Sequence, residues 1–153
     1  MIFLFDRFKI FRIRKQEQGQ KTKTQTTLNQ INITVNQMHN FKKLKIWSNS
    51  IEYVTEIYKL TAKFPREEVY GLTSQMRRSV VSIPSNIAEG TGRGSDKEFS
   101  NFLNYSMGSC FELETQLIIA NNVDFINEKD LNFYLNKINS IEKQIFSFKQ
   151  TLK

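Results

Sequence analysis

The 153-residue chain has one cysteine, one histidine, one tryptophan and two prolines, and these scarcities exclude several kinds of chemistry. A single cysteine, Cys110, cannot form an intrachain disulfide. A transition-metal site needs clustered His, Cys or carboxylate ligands, and the sole histidine, His39, stands far along the chain from Cys110. No cofactor or metal is expected. No uninterrupted apolar run approaches the roughly 18 residues of a membrane span, and no long apolar segment with a small-residue cleavage site opens the chain. A cytoplasmic protein without membrane integration is expected. Neither metal nor disulfide is required for stability, because a domain of this size can bury roughly 70% of its unfolded surface.

Charge of one sign is concentrated rather than spread. The formal net charge is +7, but residues 1–37 carry seven basic residues against two acidic ones, while residues 38–153 carry 15 against 13. The basic balance is therefore weak evidence about the partners of the remainder.

Residues 1–15 mix Phe, Ile and Leu with Arg and Lys, as in a short basic amphipathic helix that lies on a membrane or an RNA. Residues 16–37 are dominated by Gln, Thr and Asn, have no sustained period and read as a disordered linker. The sequon Asn32-Ile33-Thr34 carries no weight without secretion. Coherent helical patterning begins directly after Met38, which makes Met38 a candidate translation start. The expected domains are thus an extension over 1–37 and a helical bundle over 38–153.

Four helices are predicted. The first covers 43–63, with Trp47, Ile51, Val54, Ile57, Tyr58 and Thr61 on its core face. Phe64-Pro65 ends it, because the residue before proline is pushed out of the α region, and Pro65-Arg66-Glu67-Glu68 starts a short helical turn. The second covers 72–89, with Leu72, Met76, Val80, Ile83 and Ile87 inward. Its remaining surface divides into a polar stripe of Arg78, Ser82, Ser85 and Glu89 and a mixed stripe of Arg77, Val81, Pro84 and Ala88. Pro84 removes a backbone donor and should kink the helix, with Ser82, Ser85 and Asn86 as candidates to satisfy the freed carbonyls. Gly90, Gly92 and Gly94 would then supply a left-handed cap and a tight reversal.

The third helix opens on a capping box, Ser95-Asp96-Lys97-Glu98, and ends at Asn121-Asn122. Its main stripe is Phe99, Phe102, Leu103, Ser106, Cys110, Leu113, Leu117 and Ala120, widened by Met107, Phe111 and Ile118 beyond what one neighbouring helix covers. The fourth helix follows a cap at Asn127 and runs to 152, with Leu131, Tyr134, Leu135, Ile138, Ile141, Ile145, Phe148 and Leu152 inward. Helices of about 30–37 Å joined by short loops give an all-α, antiparallel up-down-up-down four-helix bundle.

The search for catalysis finds little. Cys110 sits in an apolar stripe, where a thiol behaves as a small hydrophobe. Glu112 and Glu114 point about 200° apart on one helix, which rules out an acid–base pair from the same face. The Gly90, Gly92, Gly94 spacing follows a helix and lacks the Lys-Ser/Thr ending of a phosphate loop. No enzyme is expected. A binding surface remains, in which Arg77, Arg78, Arg93 and Lys97 meet phosphates, or else pair with Glu89, Glu98, Glu112 or Glu114 within the bundle or across a subunit boundary.

The run Phe64-Pro65, Glu68, Tyr70-Gly71-Leu72, Gln75, Arg77-Arg78, Ser82-Ile83-Pro84-Ser85-Asn86-Ile87-Ala88-Glu89-Gly90, Arg93, Phe99, Phe102-Leu103, Gly108-Ser109 and Glu112-Leu113-Glu114 resembles the four-helix-bundle proteins encoded in intervening sequences of bacterial 23S ribosomal RNA genes, the S23 family. The resemblance covers 41–120, with Ser79 where the family often has alanine, and gives residues 1–37 no counterpart. It implies a bundle that assembles into a ring, a homopentamer, with Gly108 allowing close helix approach. It also implies similarity to the accessory protein of diversity-generating retroelements, which binds a reverse transcriptase and is basic enough to contact nucleic acid. An RNA or ribonucleoprotein partner, or a reverse transcriptase or other protein, is the expectation this carries. No enzymatic activity comes with it.

Overall fold

A computed structural model describes Gln20 and residues 40–152. The chain divides into two units, Met1–Met38 and His39–Lys153, and the helices below belong to the second. The expectations for residues 1–37, for the start at Met38 and for His39 lie outside the described residues.

Among the described residues of this second unit, four α-helices follow one another: α1 (Lys45–Thr61), α2 (Leu72–Thr91), α3 (Asp96–Asn122) and α4 (Glu128–Lys149). Each packs on its neighbours in sequence, α1 also meets α4, and the diagonal pairs stay more than 8 Å apart between Cα atoms, which is the pattern of an up-down bundle. The α2–α3 pairing is the most extensive. Two 3-10 turns, Phe41–Lys43 and Arg66–Val69, flank α1. The second is the short turn predicted after Pro65. The first was not predicted: Asn40 accepts from the Lys42 amide at 3.1 Å, and Leu44 is extended, so α1 begins two residues later than its apolar spacing suggests.

The core joins Ile46, Tyr53, Ile57 and Leu60 of α1 to Met76, Val80, Ile83 and Ile87 of α2, to Phe99, Leu103, Cys110, Leu113, Leu117 and Ala120 of the expected stripe of α3, and to Leu131, Ile138, Ile141 and Ile145 of α4, while Phe102 of that stripe is only half-buried. Burying each such side chain contributes about 1.5–3 kcal/mol. The face of α1 differs from expectation. Ile51 and Tyr58 are exposed, while Ile46, Ser50, Tyr53 and Leu60 are inside, a rotation of roughly 80° at 100° per residue. Ser50, a small polar residue, helps to explain the misreading, whereas Ile57 and Thr61 are inside as expected. Ser50 donates to the Ile46 carbonyl at 2.6 Å and Thr61 to the Ile57 carbonyl at 2.8 Å, so both hydroxyls are buried without an unmet bond, and a serine at position 50 makes the inward face look too polar in sequence.

Helix α2 runs through Pro84 and through Gly90 to Thr91. Around the proline, Ser85 donates to the Val81 carbonyl at 2.8 Å and Asn86 to the Ser82 carbonyl at 2.9 Å. From α3, the buried Ser106 hydroxyl donates to the Ile83 carbonyl at 3.0 Å. Three consecutive carbonyls, of Val81, Ser82 and Ile83, thus receive side-chain donors, two of them from expected residues, although the carbonyl that Pro84 leaves without its i→i−4 amide is that of Val80.

The left-handed glycine cap does not form. No glycine among the described residues has positive φ; Asp124, between α3 and α4, is the residue that does. Gly90 has a different duty, because a Cβ there would come within 2.5 Å of the Phe99 ring and 2.8 Å of Phe102 Cβ. The reversal into α3 is made by Gly92, with φ −83°, and by extended Ser95, whose Oγ accepts the Glu98 amide at 3.2 Å. Gly108, by contrast, is exposed and has nothing within 4 Å of an added Cβ, so it allows no close approach within this chain.

Candidate nucleic-acid interface

Because residues four apart share a helix face, Thr73, Arg77 and Val81 line up along α2, with Ser74 and Arg78 beside them. Together with Tyr58 of α1 and Val69 of the second 3-10 turn, they line an open groove of about 390 Å³. None of these seven residues is acidic.

Arg77 is held from two sides. Its Nε donates to Thr61 Oγ1 at 2.9 Å, and its guanidinium lies 4.8 Å from the centre of the Tyr58 ring. This cation–π contact holds the guanidinium over a ring that is itself half exposed. Arg78 is exposed and has no hydrogen-bond or ion-pair partner among the described residues. The groove also sits at the positive end of the α2 dipole. Glu68 Oε2 accepts the Leu72 amide at 2.8 Å, and Gly71 provides no side-chain cap, so the Thr73 and Ser74 amides of the first turn are left uncapped. Thr73 is 4% exposed, and its Oγ1 has no hydrogen-bond partner.

The other two predicted basic residues do not join this site. Arg93 and Lys97 lie past the opposite end of α2, roughly 20 Å away along its axis at 1.5 Å per residue. Arg93 is ion-paired with Glu89 and stacked 4.5 Å from the centre of the Phe102 ring. The carboxylate alternative is therefore realised for Arg93 within its own chain, and it is not realised for Arg77 or Arg78 among the described residues. Lys97 is exposed in the first turn of α3. The four basic residues of the sequence pattern form two groups, not one patch.

The remaining singled-out residues serve the scaffold. Pro84 is buried, Asn86 bonds back onto Ser82, and Gly90 receives Phe99. Cys110 is fully buried; burial first, and then the Glu142 and Glu114 carboxylates, push its thiol up. Glu112 accepts from Gln116 at 3.2 Å. Glu114 finds its electrostatic neighbour on another helix: burial and then Glu114 push Glu142 up from 4.5 to about 7. Burial alone raises Glu114. Among the described residues, no three His, Cys, Asp or Glu side chains gather to hold a metal ion, and no helix is long and apolar enough to cross a membrane.

Sequence reasoning missed Tyr58, Val69, Thr73 and Ser74. The i, i+4 steps back from Arg77 and Arg78 carry a signal for the last two; Tyr58 and Val69 arrive from other elements and leave none.

The family model described as 23S rRNA-intervening sequence protein matches residues 42–147, which spans all four helices but for the last two residues of α4. Among solved structures, the chain is similar to a protein of unknown function from the S23 ribosomal protein family of Bacteroides thetaiotaomicron VPI-5482. The TM-score is 0.65 at 25% identity, covering 69% of this chain and 96% of that one. No curated protein matches the chain.

Proposed function

The chain belongs to the 23S rRNA-intervening sequence protein family, and from that premise we propose that it is a non-enzymatic, ring-forming helical-bundle protein that meets RNA through the groove of Arg77 and Arg78. One observation carries this reading: the groove is lined by two guanidinium groups and no carboxylate. Arginine forks suit phosphate oxygens, and a guanidinium already oriented by Tyr58 and Thr61 loses less freedom on binding. The ring, a homopentamer, is supported by apolar side chains that one copy leaves uncovered, Phe111 and Ile118 of α3 and Phe146 of α4, and by the open surface at Gly108.

The test is salt-dependent RNA binding by the full chain and by its Arg77→Ala/Arg78→Ala double variant. Removal of two phosphate contacts should weaken binding and lower the slope of log affinity against log salt by about 2. Unchanged affinity and slope would move the binding to residues 1–37 and overturn the groove. Light scattering tests the ring, and a monomer at micromolar concentration would remove it.

A second reading, an adaptor that binds a reverse transcriptase or another protein, is favoured by the same exposed aromatics and by Phe133 and Tyr105, which are 50% and 61% exposed. Its mark is a stable protein partner recovered together with a lack of affinity for free RNA.

A further inference from the structure

We propose that the groove at the start of α2 receives a terminal phosphate, a phosphomonoester at an RNA end, in preference to the internal phosphodiester backbone. This rests on the reading of the same groove as the RNA contact, and adds which part of the RNA it takes.

A terminal phosphate carries a charge of about −1.5 to −2 at pH 7, whereas each internal phosphate carries a single negative charge. The groove is matched to the larger charge. Arg77 and Arg78 both line it, no carboxylate does, and the uncapped amides of Thr73 and Ser74 mark the positive end of a 20-residue helix. A second observation is independent of the helix end. The Thr73 hydroxyl is stripped of water by burial and given no partner in exchange, in a residue that lines the groove. Buried polar atoms are rarely left so, and a phosphate oxygen is an acceptor that would complete it.

The surroundings disfavour a strand that passes through. The rest of α2 carries no further cation, and the next one in the chain, Arg93, lies past its end and is tied to Glu89. On the other side, the 3-10 turn next to Val69 sets Glu67 and Glu68 against Arg66, so it offers a continuing backbone no net positive charge. The volume of about 390 Å³ exceeds the needs of a phosphate alone, and Val69 and Val81 give a terminal nucleoside an apolar surface to rest on.

The experiment uses the full chain and one short RNA sequence, internally labelled, in three forms: 5′-phosphate, 3′-phosphate, and hydroxyl at both ends. One phosphorylated form should bind at least about tenfold more tightly than the hydroxyl form. Arg78→Ala should erase that advantage. Thr73→Val should reduce it while leaving the thermal transition as high as, or higher than, that of the unmodified protein, which separates lost recognition from lost folding. Equal affinity for all three RNAs, still dependent on Arg77 and Arg78, overturns the end preference and leaves the RNA contact standing. RNA affinity independent of both arginines overturns the two together. Competition by inorganic phosphate as strong as by the phosphorylated RNA reduces the groove to a free-phosphate site and also overturns the assignment.

Discussion

Gly90 lies against Phe99 so closely that no side chain fits between them: an added Cβ would sit 2.5 Å from Phe99 Cδ2. The contact joins the end of α2 to the start of α3, the most extensive pairing in the bundle. Phe99 is 2% exposed and itself packs edge-on against Phe148 of α4, so its ring has no free space to retreat into.

Gly90→Ala should therefore destabilise the protein by about 1–3 kcal/mol from overpacking, although alanine is the better helix former by about 1 kcal/mol. Urea unfolding measures the balance, and a variant more stable than the unmodified chain would mean that Phe99 yields.

Ser106→Ala tests how α3 supports the proline in α2. Ser106 is fully buried, and its hydroxyl bonds the Ile83 carbonyl next to Pro84. Inside the continuous helix that carbonyl keeps the amide of Ile87, so loss of the crossing bond should cost about 0.5–1.5 kcal/mol. Ser85→Ala, at an exposed hydroxyl bonded to Val81, should cost less than half as much. Equal losses would show that the crossing bond has no special standing.

The two arginine groups should separate in binding. Arg93 is occupied by Glu89 and Phe102, whereas Arg78 is unpaired among the described residues. Arg93→Ala should change RNA affinity less than about twofold and stability by under about 1 kcal/mol, as for exposed ion pairs. Arg78→Ala should lower affinity severalfold at the same salt concentration. The reverse order in a titration at fixed ionic strength would relocate the interface to the other end of α2.

Much of this architecture is legible in the sequence, and for specific reasons. The caps Ser95 and Asn127 place the starts of α3 and α4, and the residue pair Phe64-Pro65 ends α1. What is not legible comes from small residues with more than one use. Ser50 reads as polar and is inside; Tyr58 reads as core and instead carries Arg77. Gly90 reads as a turn residue because a missing side chain looks the same whether it serves a left-handed φ or a close approach. The groove combines three separate elements, so only its α2 portion has a spacing to find.

Glu142 makes stability depend on pH in a direction opposite to that of a salt-bridged carboxylate. Burial and the facing Glu114 raise its carboxyl from 4.5 to about 7, and Glu142 Oε1 is buried without a hydrogen-bond partner. The folded protein thus holds this proton more tightly than the unfolded chain does. Its stabilising contribution is complete below about pH 4.5 and is lost as pH rises through 7. Because the side chain is only partly buried, solvent screening reduces the effect to about 0.5–1 kcal/mol between pH 5 and pH 8. Glu142→Gln, which removes the titration and keeps the shape, should be more stable than the unmodified protein at pH 8 by that amount and nearly equal to it at pH 5. Glu114 shifts in the same direction through burial, so some slope should remain in the variant. Urea unfolding at the two pH values gives both differences, and a variant whose stability falls with pH as steeply as the unmodified chain would locate the proton elsewhere.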